Sequence, residues 1–126
     1  MDGYSILIGG RAGDGIRQIG GLLARLIARC GYYVYLYDDY PSLIRGGHNF
    51  TIVRATTQPV RSHQNKIDLI VALNQQTVEI HQAKLKQGGI LIYDSDQVEA
   101  QGIGLPLATL CLLYTSDAAD EGLGVD

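Results

Sequence analysis

The stretch Tyr37–Arg54, YDDYPSLIRGGHNFTIVR, decides how the rest of the chain is read. It begins at the end of an apolar, aromatic run, Tyr32–Tyr37 (YYVYLY), which predicts a buried strand. A second strand-like run, Phe50–Ala55, follows at once. Between the two stand Asp38, Asp39, Pro41, Arg45, Gly46, Gly47, His48 and Asn49. A plain connector needs about four to six residues. This one is longer and carries groups that bind anions, position water or grip a backbone. Polar groups gathered at a strand end are where α/β proteins keep their sites. The plainer alternative is a solvated loop closed by a Gly-Gly turn. The link has no room for a crossover helix, and parallel strands need about a dozen connecting residues or more. The strand Asn49–Ala55 is therefore expected to run antiparallel or to stand at a sheet edge.

Upstream, Tyr4–Ile8 is a short apolar strand, Gly9–Gly15 (GGRAGDG) a glycine-rich turn and Ile16–Cys30 a helix. Ile16, Ile19, Leu23, Leu26, Ile27 and Cys30 share one helical face, with Arg17, Gln18, Arg25 and Arg29 opposite. Gly31 is placed for a left-handed C-cap. Gly20 and Gly21 weaken a helix, so close packing against a sheet is their better explanation. Strand, glycine turn, helix and strand open a βαβ unit. Downstream, Thr56–Pro59 is a turn and Val60–Ser62 a short return strand. Ile67–Leu73 (IDLIVAL) is, Asp68 apart, an apolar strand of the kind buried on both faces. Asn74 caps a helix over Gln75–Leu85, Gly88–Gly89 leads to a strand at Ile90–Tyr93, and Asp94 and Asp96 cap the turn beyond it. The run Gly102–Pro106 opens one more strand, cut short.

The 126 residues amount to one domain or part of one, with no apolar run of transmembrane length; the N-terminal MDGYSILIGG lacks a basic region and is too short in its apolar run to be expected as a signal peptide. A net charge of −3 offers no electrostatic footprint for nucleic acid or an anionic membrane. Residues 1–110 hold all 10 Lys and Arg and 9 of the 13 acids, so their net charge is +1. The other acids fall in Cys111–Asp126. Its CLLYTSDAADE matches, residue for residue, the translation of a transposase sequencing adapter. That segment is expected to be an artefactual tail on a fragment cut near Leu110. Cys30 then stands alone and is expected in the core. No disulfide and no Cys-x-x-Cys cluster motif is available, and a reducing cytoplasm fits.

Two constellations can carry chemistry. The turn containing Gly10, Gly13, Asp14 and Gly15 offers backbone N–H groups at a helix start, which suits an anion. It misses the strict dinucleotide pattern, since Ala12 replaces its second glycine, and Asp14 opposes a phosphate. A tight structural turn with Asp14 as the cap is the alternative. Gly13–Asp14–Gly15 also has the opening of a thiamine diphosphate motif, but Asn49 lies too far along to be its second magnesium ligand. The second constellation is Arg45, Gly46, Gly47 and His48, in which guanidinium and freed backbone can meet one carboxylate or phosphate. His48 is its proton carrier, or else a structural histidine holding a carbonyl. Asp38 and Asp39 could share a metal ion only if the loop bends. His63 and His81 lack partners at ligand spacing and are expected to face solvent.

YDDYPSLIRGGHNF (Tyr37–Phe50), with GRAGDG (Gly10–Gly15), IDLIVALNQ (Ile67–Gln75) and IYDSD (Ile92–Asp96), resembles the gamma domain of 2-oxoacid:ferredoxin oxidoreductases. The likeness is strongest to the form fused to the N-terminus of the alpha subunit, and it covers about residues 4–108. It implies a three-layer α/β/α domain with a mostly parallel, mixed sheet, here incomplete at the C-terminus. It implies a non-catalytic domain in a cytoplasmic enzyme that decarboxylates a 2-oxoacid with thiamine diphosphate and magnesium. That enzyme passes electrons through an iron–sulfur cluster to ferredoxin and the acyl group to coenzyme A. The implied partners are the rest of the alpha subunit, the beta subunit and, through the complex, ferredoxin. The competing reading is a free-standing nucleotide- or anion-binding module.

Overall fold

The computed structural model describes residues 3–11, 15–39, 48–59, 66–107 and 109. In chain order the elements are β1 (Tyr4–Arg11), α1 (Ile16–Arg29), β2 (Tyr33–Asp39), β3 (His48–Thr56), β4 (Ile67–Ala72), α2 (Gln75–His81), a 3-10 turn (Gln82–Lys84), β5 (Leu85–Asp94) and β6 (Ile103–Leu105). The strands form one sheet in the order β2-β3-β1-β4-β5-β6. Strands β1, β4, β5 and β6 run parallel, while β3 is antiparallel to both its neighbours, β2 and β1. The antiparallel expectation for β3 holds, but β3 is interior and β2 takes the edge.

The layers follow from one dipeptide. Phe50 and Thr51 are consecutive in β3 and so face opposite sides of the sheet. A Cβ on Gly20 of α1 would stand 2.6 Å from Thr51 Cγ2, which puts α1 on the Thr51 side. The His81 ring of α2 lies 4.4 Å, centroid to centroid, from Phe50, which puts α2 on the other. The result is helix, sheet, helix: the three-layer domain expected.

The main core lies between α2 and the sheet: Leu7, Ile52, Ile70, Ala72, Val78 and Leu91 are all buried there. Each large aliphatic in it contributes about 1.5–3 kcal/mol over an exposed position. Gly9 permits this closeness, since a Cβ there would meet Thr77 of α2 at 2.6 Å.

Several local expectations hold. Gly20 packs on the sheet; Gly21 does not, its nearest neighbour being Arg25 at 3.9 Å. Gly31 has φ 98°, as a left-handed helix end requires. Asn74 caps α2, accepting a hydrogen bond from Thr77 N–H at 3.0 Å. Asp94 gathers the turn after β5, its buried carboxylate accepting from the N–H groups of Asp96 and Leu107 and from Gln97 Nε2. Asp96 in turn accepts from Thr109 N–H. The Gly102–Pro106 run does hold a strand, β6, which pairs parallel with β5.

Others are corrected. Helix α2 ends at His81 rather than Leu85, and β5 starts earlier, at Leu85. On α1 only Ile16 is buried from the apolar set; Ile19 and Leu26 are 42% and 51% exposed. The apolar arc of α1 is wider than the strip of sheet beneath it. Cys30 is exposed instead of in the core, because it lies past the last helical residue as the C-cap. The proposed return strand Val60–Ser62 falls outside the described residues.

A histidine pair at the start of strand β3

The short link after β2 forces β3 to begin beside the carboxyl end of β1, where His48 pairs with Arg11 and Asn49 with Gly10. This is the end at which the other parallel strands also finish, and where open α/β sheets place their sites. His48 is buried, and so is His81 at the end of α2. Their Nε2 atoms lie 2.9 Å apart. Lys84 Nζ lies 3.2 Å from the other ring nitrogen of His81, Nδ1.

The proton positions follow from the lysine. An ammonium only donates, so His81 Nδ1 accepts from Lys84. Neutral His81 then carries its hydrogen on Nε2 and donates it to His48 Nε2. His81 is held neutral: burial, then the Lys84 charge, then His48 lower its pKa from 6.5 to about 4. Phe50 seals the group. It stacks against His48 at 5.7 Å, meets His81 edge-on and takes the Lys84 ammonium 5.5 Å above its ring. Tyr37 of β2 extends the aromatic wall, 6.3 Å from Phe50. On the opposite sheet face, Thr51 Oγ1 lies 2.6 Å from Asp38 Oδ1 and 3.1 Å from the Tyr37 carbonyl. That contact ties the root of the Tyr37–Arg54 stretch to the strand that follows it.

Of the sequence-predicted site residues, Gly10 lies in β1 and His48 starts β3, so both belong to the same ladder end. Gly15 is the N-cap of α1 in the left-handed region, φ 77°, and among the described residues no side chain caps the helix there. Gly13, Asp14, Arg45, Gly46 and Gly47 lie outside the described residues, as does His63. His81 does not face solvent, as expected from the sequence; it is 1% exposed, because α2 lays it across the sheet onto Phe50. Sequence reasoning missed His81, Lys84 and Phe50 as the surroundings of His48. The one available signal was the spacing of His81 and Lys84, one helical turn apart on a helix whose opposite end is capped.

Among the described residues no three His, Cys, Asp or Glu side chains converge as metal ligands. The described residues therefore do not supply a donor set for magnesium or an iron–sulfur cluster. No helix among them is long and apolar enough to cross a membrane. The arrangement can hold two imidazoles in fixed tautomers at the carboxyl edge of the sheet, with a cation behind them.

A three-layer α/β domain with a buried histidine pair at the carboxyl edge of a mixed sheet is thus the class of protein. The model for pyruvate ferredoxin/flavodoxin oxidoreductase matches residues 5–122, and the chain belongs to that family. It is 37% identical over 90 residues to a 2-oxoacid:ferredoxin oxidoreductase subunit alpha of Sulfolobus sp, covering 71% of this chain and 14% of the relative. A second alpha subunit, from Sulfurisphaera tokodaii, is 36% identical over the same length. The chain thus spans about a seventh of these relatives. Its fold is similar to a 2-oxoglutarate:ferredoxin oxidoreductase from Magnetococcus marinus, whose structure has 2-oxoglutarate, coenzyme A and succinyl-CoA bound. The TM-score is 0.76 at 25% identity, over 86% of this chain and 21% of that one. It is also similar to the gamma subunit of a keto/oxoacid ferredoxin oxidoreductase from Geobacter sulfurreducens PCA: TM-score 0.69, 28% identity, 82% of this chain and 58% of that one.

Proposed function

We propose that this chain is the gamma domain of a 2-oxoacid:ferredoxin oxidoreductase, joined in the intact protein to an alpha subunit. It supports, without itself catalysing, oxidative decarboxylation of a 2-oxoacid to acyl-CoA with reduction of ferredoxin. The observation that carries this reading is the double likeness: alpha subunits in sequence, and a separate gamma subunit in fold. That combination favours the oxidoreductase reading over a free-standing nucleotide- or anion-binding module. Residues 1–110 form the domain and Cys111–Asp126 the adapter-derived tail. The working partners are the rest of the alpha subunit and the beta subunit, in the cytoplasm, with ferredoxin reached through the complex and neither nucleic acid nor membrane involved. Thiamine diphosphate, magnesium and the iron–sulfur cluster belong to other parts of that complex.

The glycine turn (Gly10, Gly13, Asp14, Gly15) and the loop Arg45, Gly46, Gly47 and His48 are its contact surface toward coenzyme A or a neighbouring subunit. The Magnetococcus enzyme supports this, since it holds coenzyme A. Arg45 is the residue to test. Steady-state kinetics of the complete enzyme with Arg45→Ala, varying coenzyme A and 2-oxoacid separately, are run beside a melting curve. A charge-assisted bond to phosphate or carboxylate is worth roughly 1.5–3 kcal/mol, so one Michaelis constant is expected to rise about tenfold or more. Arg45→Lys recovers part of it, because lysine lacks the planar fork. Unchanged kinetics with a lowered melting point would make Arg45 a structural residue.

A further inference from the structure

Strands β1, β4, β5 and β6 run parallel, and parallel strands in α/β proteins are almost always covered on both faces. On the α2 side the cover is in place, with Leu7, Ile70, Ala72 and Leu91 buried. On the α1 side it stops halfway. Residues paired across a sheet share a face, so two rows can be followed outward from beneath α1. One runs Thr51, Ile8, Val71, Ile92, Ile103, and the other Val53, Ile6, Leu69, Ile90. Helix α1 packs on β3, β2 and β1, and there Thr51 and Val53 are fully buried. Further out, Leu69, Val71 and Ile92 are only half-buried, Ile90 is 42% exposed and Ile103 51%. A wall stands beside this apolar floor. On α1 the exposed Ile19, Leu22 and Leu26 lie to one side of the buried line through Ile16 and Gly20. In the right-handed crossover that βαβ units adopt almost without exception, that is the side of β4 and β5.

We infer that this floor and wall are the seat of one further helix, which opens at Leu107 and continues past residue 110 in the intact protein. Leu107 and Thr109, the last described residues, are already helical. Their N–H groups donate to Asp94 Oδ1 at 3.1 Å and to Asp96 Oδ2 at 3.0 Å, and carboxylates suit a helix start. Asp94 alternates in step with Ile90 and Ile92 along β5, so its side chain lies on the α1 side of the sheet, and the helix start is tethered there. A helix that opens at the carboxyl edge on that side covers apolar surface by running back along β5, next to α1. The Geobacter gamma subunit has the length for it, since this chain covers 58% of that one. The inference rests on the reading of residues 1–110 as a shortened gamma domain. The occupant is an amphipathic segment of the same polypeptide, its apolar face toward Ile90, Ile92 and Ile103, and neither a small ligand nor a second subunit.

The test compares the 126-residue chain with the full-length alpha subunit translated from the uncut gene. Ile90→Cys and Ile103→Cys are each reacted with a maleimide under native conditions, and the modified peptides are followed by mass spectrometry. Both cysteines are expected to react readily in the short chain and about tenfold or more slowly in the full-length chain without its beta subunit. In a second measurement p-benzoylphenylalanine takes the place of Ile103 in the full-length chain, and its photo-crosslink is expected in the peptide that directly follows Leu107. Equal reactivity in the two chains overturns the proposal. Protection that appears only when the beta subunit is added overturns it too, as does a crosslink to a distant part of the alpha chain. If Ile90→Cys fails to fold, the more exposed Ile103→Cys decides. A reading frame that does not continue into an alpha subunit refutes the gamma-domain reading instead, and the same two measurements on its actual product still decide the seat.

Discussion

His48 and His81 are 33 positions apart in sequence and share a hydrogen bond between their Nε2 atoms, 2.9 Å long. The bond joins the first residue of β3 to the last residue of α2. It therefore pins the outer helix to the strand that the Tyr37–Arg54 stretch delivers. Lys84 fixes its direction, since an ammonium on Nδ1 leaves His81 only Nε2 for its own hydrogen.

That arrangement predicts a pH dependence. In the folded chain His81 has a pKa of about 4, against an ordinary 6.5. Between those values the unfolded chain binds more protons than the folded one, so stability rises with pH. The contribution is fully present above pH 6.5 and is lost as pH falls through this window towards about 4. It amounts to on the order of 3 kcal/mol. Denaturant unfolding at several pH values in this range is expected to show the slope in the parent and a much flatter profile in His81→Gln. A His81→Gln profile parallel to the parent would remove the assignment.

The two glycines of α1 are expected to respond with opposite signs. Alanine normally stabilises a helix interior by about 1 kcal/mol relative to glycine. Gly21→Ala has room for the methyl group and should gain a large part of that. Gly20→Ala places a Cβ 2.6 Å from Thr51 Cγ2, and Thr51 is held by its hydroxyl contacts to the root of β2. It should cost about 1–3 kcal/mol. Midpoints of denaturant unfolding for the pair check this; a stabilised Gly20→Ala would mean that α1 does not bear on Thr51.

Asp68 and Lys86 form an ion pair whose two ends are unequal. The lysine side chain is 40% exposed and the aspartate 12%. Lys86→Ala removes a partly solvated pair and should cost about 1 kcal/mol or less. Asp68→Ala also strips the acceptor from Ser5 N–H, in a residue only 1% exposed, which should cost about 1–3 kcal/mol. Equal losses in the two variants, measured by thermal unfolding, would refute the asymmetry.

Asn74 satisfies two donors of α2, Thr77 N–H at 3.0 Å and Thr77 Oγ1 at 2.6 Å. Asn74→Ala should cost about 1–2 kcal/mol, and Asn74→Asp, which keeps the acceptor, should restore most of it. Because α2 carries His81, loosening it should also raise hydrogen exchange at the β3 amides near His48.

What the sequence determined by itself is what depends on near neighbours. The connection after β2 was too short for a crossover, which settles the antiparallel direction of β3. Apolar runs, helical spacing and a caps-and-glycine grammar settle most elements to within a few residues. The family was legible in YDDYPSLIRGGHNF, because a motif is read along the chain. Tertiary structure alone decided who meets whom across the sheet. No local pattern could report that α2 would lay His81 on Phe50, or that β2 rather than β3 would take the edge. The solvent-facing expectation for His81 failed for that reason, since burial is a property of the assembled layers. Cys30 failed the other way: helical periodicity counts it on the apolar face, but the helix stops before the sheet can cover it. Arg54 is the sharpest case, an ordinary arginine in a strand by sequence, whose burial exists only once β1 and β2 close on either side.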